Sequence, residues 1–176
     1  MGELALGHAG FMAVGAYTAG LITLNLSLPG GVEFPIALLI GGLVAGILGI
    51  IIGIPALRLR GDYLGIITLG FGEIIRVVLN NLTITNGPAG LSGIPKYTNY
   101  IWAYWTTTLI VIIIYLLMNS RHGRAITAIR ENEIAAESVG IPVAYYKTFA
   151  FAVSAFFAGI TGGIYAHYLT QLYPKT

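Results

Sequence analysis

Five stretches of this chain contain no Asp, Glu, Lys or Arg: residues 4–32, 34–57, 77–95, 97–120 and 148–174. A helix needs about 20 apolar residues to cross the hydrocarbon layer of a bilayer. Backbone N–H and C=O groups find no water there, so apolar runs of this length are helical. The strands of a membrane barrel would be shorter and would alternate. The pattern predicts spans near 6–28, 35–57, 101–118 and 147–168. A fifth, near 63–82, is interrupted by Glu73 and Arg76. The expected fold is all-α: a polytopic transmembrane helix bundle of about five spans, forming a single domain over 1–176.

Composition excludes the main alternatives. Only 9% of residues are charged, 56% are hydrophobic, and the mean hydropathy is +0.82. A soluble domain carries about 25% charge, so neither a soluble enzyme nor a disordered chain fits. A net charge of +2 suggests no nucleic-acid partner. The chain has no cysteine, which removes disulfides, thiolate chemistry and cysteine–zinc sites. Three scattered histidines without a cluster of acids make a metal site unexpected.

Basic residues set the expected orientation. Arg58, Arg60, Arg121, Arg124, Arg130 and Lys147 fall in the loops at 58–62 and 119–147, whereas the opposite loops hold Lys96 and Lys175. Lys and Arg concentrate in cytoplasmic loops, so 58–62 and 119–147 are expected inside, with the N-terminus inside and the C-terminus outside. The first span is not read as a signal peptide, because its short leader carries Glu3 and no Lys or Arg. Tyr100, Trp102, Tyr104, Trp105 and Tyr168 lie at span edges, where aromatic belts form. The pairs Gly42/Gly46, Gly49/Gly53 and Gly159/Gly163 have the G-x-x-x-G spacing that lets helix backbones approach closely.

Asn86-Gly87-Pro88 and Pro95 predict turns rather than helix between the third and fourth spans. Within this stretch, Gly90-Leu91-Ser92-Gly93 matches the G-x-S-G of rhomboid-like intramembrane serine hydrolases. That chemistry requires a serine beside a histidine base; His167 is the candidate. A glycine-rich external turn is the simpler reading, since Ser92 sits in a proline-bounded loop ahead of the next span. His8 reads as a hydrogen-bonded structural group near an interface.

In the third span Thr68, Gly72, Glu73, Arg76 and Asn80 fall within an arc of about 140° at 100° per residue. Ionisable groups at membrane depth face a bundle interior or a wet cavity. Thr68, Glu73, Arg76 and Asn80 are therefore candidates for the lining of a translocation path. Glu73 and Arg76, three residues apart, equally fit an internal ion pair that fixes one helix.

The loop 119–147 holds a helical pattern bracketed by Gly123 and Gly140-Ile141-Pro142. Ala125, Ile126, Ala128, Ile129, Ala135, Ala136 and Val139 share one face; Arg130, Glu131, Glu137 and Ser138 take the other, with Glu133 at the margin. A single amphipathic helix over about 125–139 is expected under the membrane. Its shallow, alanine-rich face suits a protein groove better than lipid.

Ala135-Ala136-x-x-x-Gly140 resembles the "EAA" loop of ABC importer permeases, although Ile134 stands where a Glu usually precedes the two alanines. Wider segments resemble the permeases of the branched-chain amino acid importer family, of the Liv type. They are Leu6-Gly7-His8-Ala9-Gly10-Phe11-Met12 through Tyr17, Ala56-Leu57-Arg58-Leu59-Arg60-Gly61-Asp62 through Asn81, Asn86-Gly87-Pro88-x-Gly90-Leu91-Ser92-Gly93-Ile94-Pro95, and Ser120 through Tyr165. Glu3-Leu4-Ala5 departs from the Gln-Leu-Ser common in that family. Family members continue on both sides of the matched region, so the chain is expected to be the middle of a permease.

The resemblance implies a transport subunit, not an enzyme, in a prokaryotic cytoplasmic (inner) membrane. It implies two ATP-binding subunits, a second homologous permease and an external solute-binding protein as partners, besides the lipid bilayer. No G-x-x-x-x-G-K-[ST] occurs, so this chain is expected to bind no cofactor, ATP being used by the partners. Arg130, Glu131, Glu133, Ala135, Ala136 and Gly140 are the expected ATPase-coupling surface, and large side chains at Ala136 or Gly140 are expected to uncouple transport. The cargo is branched-chain amino acids, or alternatively urea or short amides. The alternative of another class is the intramembrane serine hydrolase.

Overall fold

The computed structural model describes residues 7–25, 30–57 and 62–173. Glu3, Arg58, Arg60 and Lys175, used in the charge argument, lie outside the described residues, as do Leu6 and the other motif residues at 1–6 and 58–61. The described chain is helical almost throughout: α1 His8–Asn25, α2 Gly30–Ala56, α3 Asp62–Asn81, α4 Tyr100–Asn119, α5 Arg121–Glu131, α6 Glu133–Ser138 and α7 Val143–Leu169. A 3₁₀ turn at Gly87–Ala89 and two short strands, β1 Leu91–Ser92 and β2 Gln171–Leu172, complete it. The strands pair antiparallel, Leu91 opposite Leu172 and Ser92 opposite Gln171. This pairing ties the loop after α3 to the end of α7.

Among the described residues, four helices are long and apolar enough to cross a membrane: Val32–Ala56, Tyr63–Asn81, Tyr100–Asn119 and Val143–Leu169. The interrupted third span is among them. The expected first span, near 6–28, lies partly outside the described residues; its described part, α1, is an 18-residue helix with His8 and Asn25 at its ends and falls outside this set. Its burial is nonetheless extensive, with Phe11, Ala16, Tyr17 and Ala19 nearly inaccessible. The aliphatic residues Leu39, Leu43, Ile47 and Ile51 of α2 point outward, as do Leu109, Val111 and Leu116 of α4.

Missing side chains bring the helices together. A Cβ at Gly15 of α1 would overlap the Gly159 carbonyl of α7, and one at Gly162 would overlap the Met12 carbonyl. On α2, a Cβ at Gly41 would lie 2.8 Å from the Gly15 carbonyl, and one at Gly49 would lie 2.6 Å from the Ala155 Cβ. Gly42 and Gly46 face Phe156, and Gly53 faces Phe151. Residues 42 and 53 thus meet residues 156–160 and 151, which makes α2 and α7 antiparallel. Gly159 and Gly163 face α2 as well as α1. All three expected glycine pairs lie at helix contacts. The close approach of Gly15 to Gly159 has no such spacing on the α1 side. Backbone contact of this kind gains dispersion that lipid cannot replace.

A polar knot closes the end of the bundle that carries the β pair. His167 on α7 is fully buried; its Nδ1 lies 2.7 Å from the Gly163 carbonyl and its Nε2 lies 3.1 Å from the Thr23 hydroxyl of α1. Tyr97 stacks on this ring and donates its hydroxyl to the buried Glu33 of α2 at 3.3 Å. Partial desolvation, and then the Glu33 charge and hydrogen bond, hold the Tyr97 phenol above its ordinary 10.0.

Candidate functional site

At the opposite end, α4 turns into the loop through Ser120. Ser120 caps α5 by accepting from the Gly123 amide at 3.3 Å. Gly123 lies inside α5 rather than ahead of it, because a Cβ there would overlap the Met118 carbonyl at the bend. The expected continuous helix over 125–139 is broken at Asn132. That residue is extended (φ −157°, ψ 106°), and its side-chain oxygen accepts from the Ala135 amide at 3.1 Å, so it caps a new helix, α6. Asparagine bonds its own neighbouring backbone in preference to continuing a helix, which is the physical reason for the break.

The expected apolar face is largely covered by the chain itself. Ile126, Ile129 and Ala136 are buried, and His122 on α5 packs against the rings of Tyr146 and Phe149 on α7. An ion pair fastens α6 to α7: the Lys147 ammonium, 4% exposed, donates to the Glu133 carboxylate at 2.9 Å. The remaining expected coupling residues lie on the outside. Arg130 and Glu131 are exposed and paired with each other at 2.8 Å. Ala135 is exposed, and Gly140 is exposed with φ +85°. Two apolar side chains stand out beside them, Ile134 at 75% and Val139 at 76% exposure. Sequence reading placed Val139 on the covered face and treated Ile134 only as a departure from a motif. Their signal was available, since Ile134 within α6 and Val139 just after it are large aliphatic residues in a stretch otherwise made of alanine and polar residues.

The expected path residues divide. Thr68 is buried, bonds the Gly65 carbonyl at 3.0 Å, and packs where Gly7, just ahead of α1, meets α3. Asn80 is half-buried and lies outside the cavity described next. Glu73 and Arg76 come together across 2.9 Å and line a cavity of about 290 Å³ between α1 and α3. Opposite them are Gly7, just ahead of α1, and Ala9, Gly10 and Ala13 of α1. The space exists because these residues and Gly72 have almost no side chain to fill it. Tyr17, Leu69 and Leu79 supply apolar walls. The α1 wall was not foreseen, because α1 carries no charge to mark a functional face.

The serine–histidine pair is not formed. Ser92 is exposed on β1, whereas both ring nitrogens of the buried His167 are engaged by Thr23 and the Gly163 carbonyl.

The chain matches, over residues 1–176, the family model described as the branched-chain amino acid transport system / permease component. It is 40% identical to the high-affinity branched-chain amino acid transport system permease protein LivM of Escherichia coli (strain K12), over 94% of this chain and 46% of that protein. A probable branched-chain amino acid transport permease protein LivM of Methanocaldococcus jannaschii is 28% identical over 77% of this chain and 44% of its own length. The ribose import permease protein RbsC of Haemophilus influenzae is 30% identical over 91% of this chain and 51% of its own. The chain spans about half the length of these relatives. No solved structure matches it.

Proposed function

Because the chain belongs to the family of branched-chain amino acid transport permease components, we propose that it forms part of the permease of an ABC importer for branched-chain amino acids. The importer sits in a prokaryotic inner membrane, with α5 and α6 on the cytoplasmic side and the β1–β2 pair outside. Two partner ATPases bind and hydrolyse ATP, a second homologous permease completes the pathway, and an external binding protein delivers the cargo. The observation that carries this reading is the build of α6. Its inner side carries the buried Ala136 and is fixed to α7 by the Glu133–Lys147 ion pair, while Ile134, Ala135 and Val139 are exposed. A monomer gains nothing by exposing aliphatic side chains on a polar loop; a partner groove would cover them.

In this reading Arg130, Glu131, Ala135 and Gly140, with Ile134 and Val139, meet the ATPase. Glu133 and Ala136 transmit its movement to α7. ATP-driven closure of the ATPases then favours one access state of the bundle and cargo release the other, which is the differential affinity that coupling requires.

The test uses the full-length permease with a single cysteine at Ser138, which is exposed on α6, in membranes with a single-cysteine candidate ATPase. Cross-linking whose yield changes with ATP is the expected result. Absence of any cross-link from Ser138 and its neighbours, in a properly inserted chain, would refute the coupling role. The similarity to a ribose import permease supports a second reading, the same machine with another small solute such as urea or a short amide. Uptake of radiolabelled leucine, challenged with each competitor, separates the two.

A further inference from the structure

The α1–α3 cavity has the chemistry of a site for a zwitterion. Arg76 donates from Nε to Oε2 of Glu73 at 2.9 Å, and its Nη2 lies 2.9 Å from the same oxygen. Both contacts fall on one carboxylate oxygen. Oε1 of Glu73 and Nη1 of Arg76 are therefore left without a hydrogen bond among the described residues. One spare anionic acceptor stands beside one spare cationic donor. Both side chains are more than half exposed, although they lie on a helix long and apolar enough to cross the membrane. Ionised groups at that depth require a wet or protein-lined space rather than lipid, and the cavity on their α1 side is such a space. Glu73 lies eight residues before the end of α3, about 12 Å at 1.5 Å per residue. The site is thus within the span and nearer its outer end.

We propose that this cavity is a transient binding site for a free α-amino acid, whose ammonium pairs with Glu73 and whose carboxylate pairs with Arg76. This rests on the reading of the chain as an amino acid permease and deepens it. A carboxylate presented to a guanidinium is held by parallel N–H bonds. An ammonium on the adjacent carbon reaches the neighbouring Glu73. The aliphatic side chain then lies against Leu69, Leu79 and the Tyr17 ring. A cavity of about 290 Å³ is at the lower end of the range for ligand pockets, about 300–1,000 Å³, and excludes large cargo. Gly72 lines it with room to spare: a Cβ there would meet nothing nearer than the Gly7 Cα at 3.8 Å, so a small side chain is accommodated at its wall.

That geometry also supplies the reporter. Gly72→Cys puts a thiol in the cavity at ordinary contact distance, in a chain with no other cysteine; Ala13→Cys is a second position on the α1 wall. The full-length permease, assembled with its partners in liposomes, is labelled with an uncharged thiol reagent. L-leucine at ten times its dissociation constant should slow labelling about tenfold, by simple occupancy. 4-Methylpentanoate, which lacks the ammonium, and 3-methylbutylamine, which lacks the carboxylate, should leave labelling unchanged. Glu73→Gln should abolish protection by leucine, and Glu73→Asp should keep part of it. Leucine uptake without leucine protection at either position, or equal protection by either single-charge analogue, overturns the site and leaves the importer reading intact. An assembled permease that carries no branched-chain amino acid overturns the importer reading itself.

Discussion

Glu133→Gln removes one charge from the joint between α6 and α7 with almost no change in shape. The Lys147 ammonium on the other side is 4% exposed, and the Glu133 side chain is about one-third exposed. Breaking a fully buried ion pair by neutralising one partner costs about 3–5 kcal/mol, because a charge is left uncompensated. Here water reaches the carboxylate side, and the glutamine oxygen still accepts a hydrogen bond, so about 2 kcal/mol is the reasonable size. At 1.4 kcal/mol per tenfold, the opening of α6 from α7 becomes about 30-fold more frequent. Hydrogen exchange reads this directly. The Ala136 amide bonds the Asn132 carbonyl and the Ile141 amide bonds the Ala136 carbonyl, at 3.0 and 3.1 Å, so both report α6 opening. Their exchange should accelerate by that factor, while amides of α2 in the bundle interior stay unchanged. Wild-type exchange in Glu133→Gln would refute the idea that this ion pair holds the loop to the membrane helix.

Three further outcomes follow from the same geometry. Asn132→Ala should destabilise α6 by about 1 kcal/mol through loss of its cap, read as faster exchange of the Ala135 amide with α5 unaffected. Gly140→Ala should cost about 1–2 kcal/mol, because Gly140 sits at φ +85° with open space around it; Gly140→Asn, more tolerant of that conformation, should cost less in a thermal-shift comparison. Gly15→Val should prevent a stable bundle altogether, because its side chain would enter the Gly159 backbone. Monodisperse Gly15→Val with wild-type thermal stability in detergent would contradict the close packing of α1 on α7.

Much of the architecture was legible because it depends on local chemistry. Uncharged apolar runs of spanning length have one stable backbone state in lipid, so α2, α4 and α7 fall close to their expected ranges. Proline and glycine between α3 and α4 rule out a helix there, and only a short 3₁₀ turn and β1 form. Glycine pairs mark contacts because a missing side chain permits backbone approach whatever the partner. Glu73 and Arg76 were visible as a pair for a similar reason, since three residues of helix set their separation.

The remainder depends on residues that meet only when the chain is folded. The cavity needed α1 to supply a wall of small residues opposite α3, and nothing local in α1 marks that wall. Ala136, identical in type to its neighbour Ala135, is buried where Ala135 is exposed, because α6 begins anew at Asn132 and rotates the face presented to α7. His167 and Ser92 form a plausible catalytic pair on paper, but the imidazole Nε2 is engaged by a Thr23 hydroxyl that α1 brings from the other end of the chain. Periodicity and charge determined which segments are helices and which residues are polar among them. Tertiary packing decided which of those polar groups share a space, because that choice rests on contacts between helices, among them Thr23 with His167 and His8 with Ser154, more than a hundred residues apart.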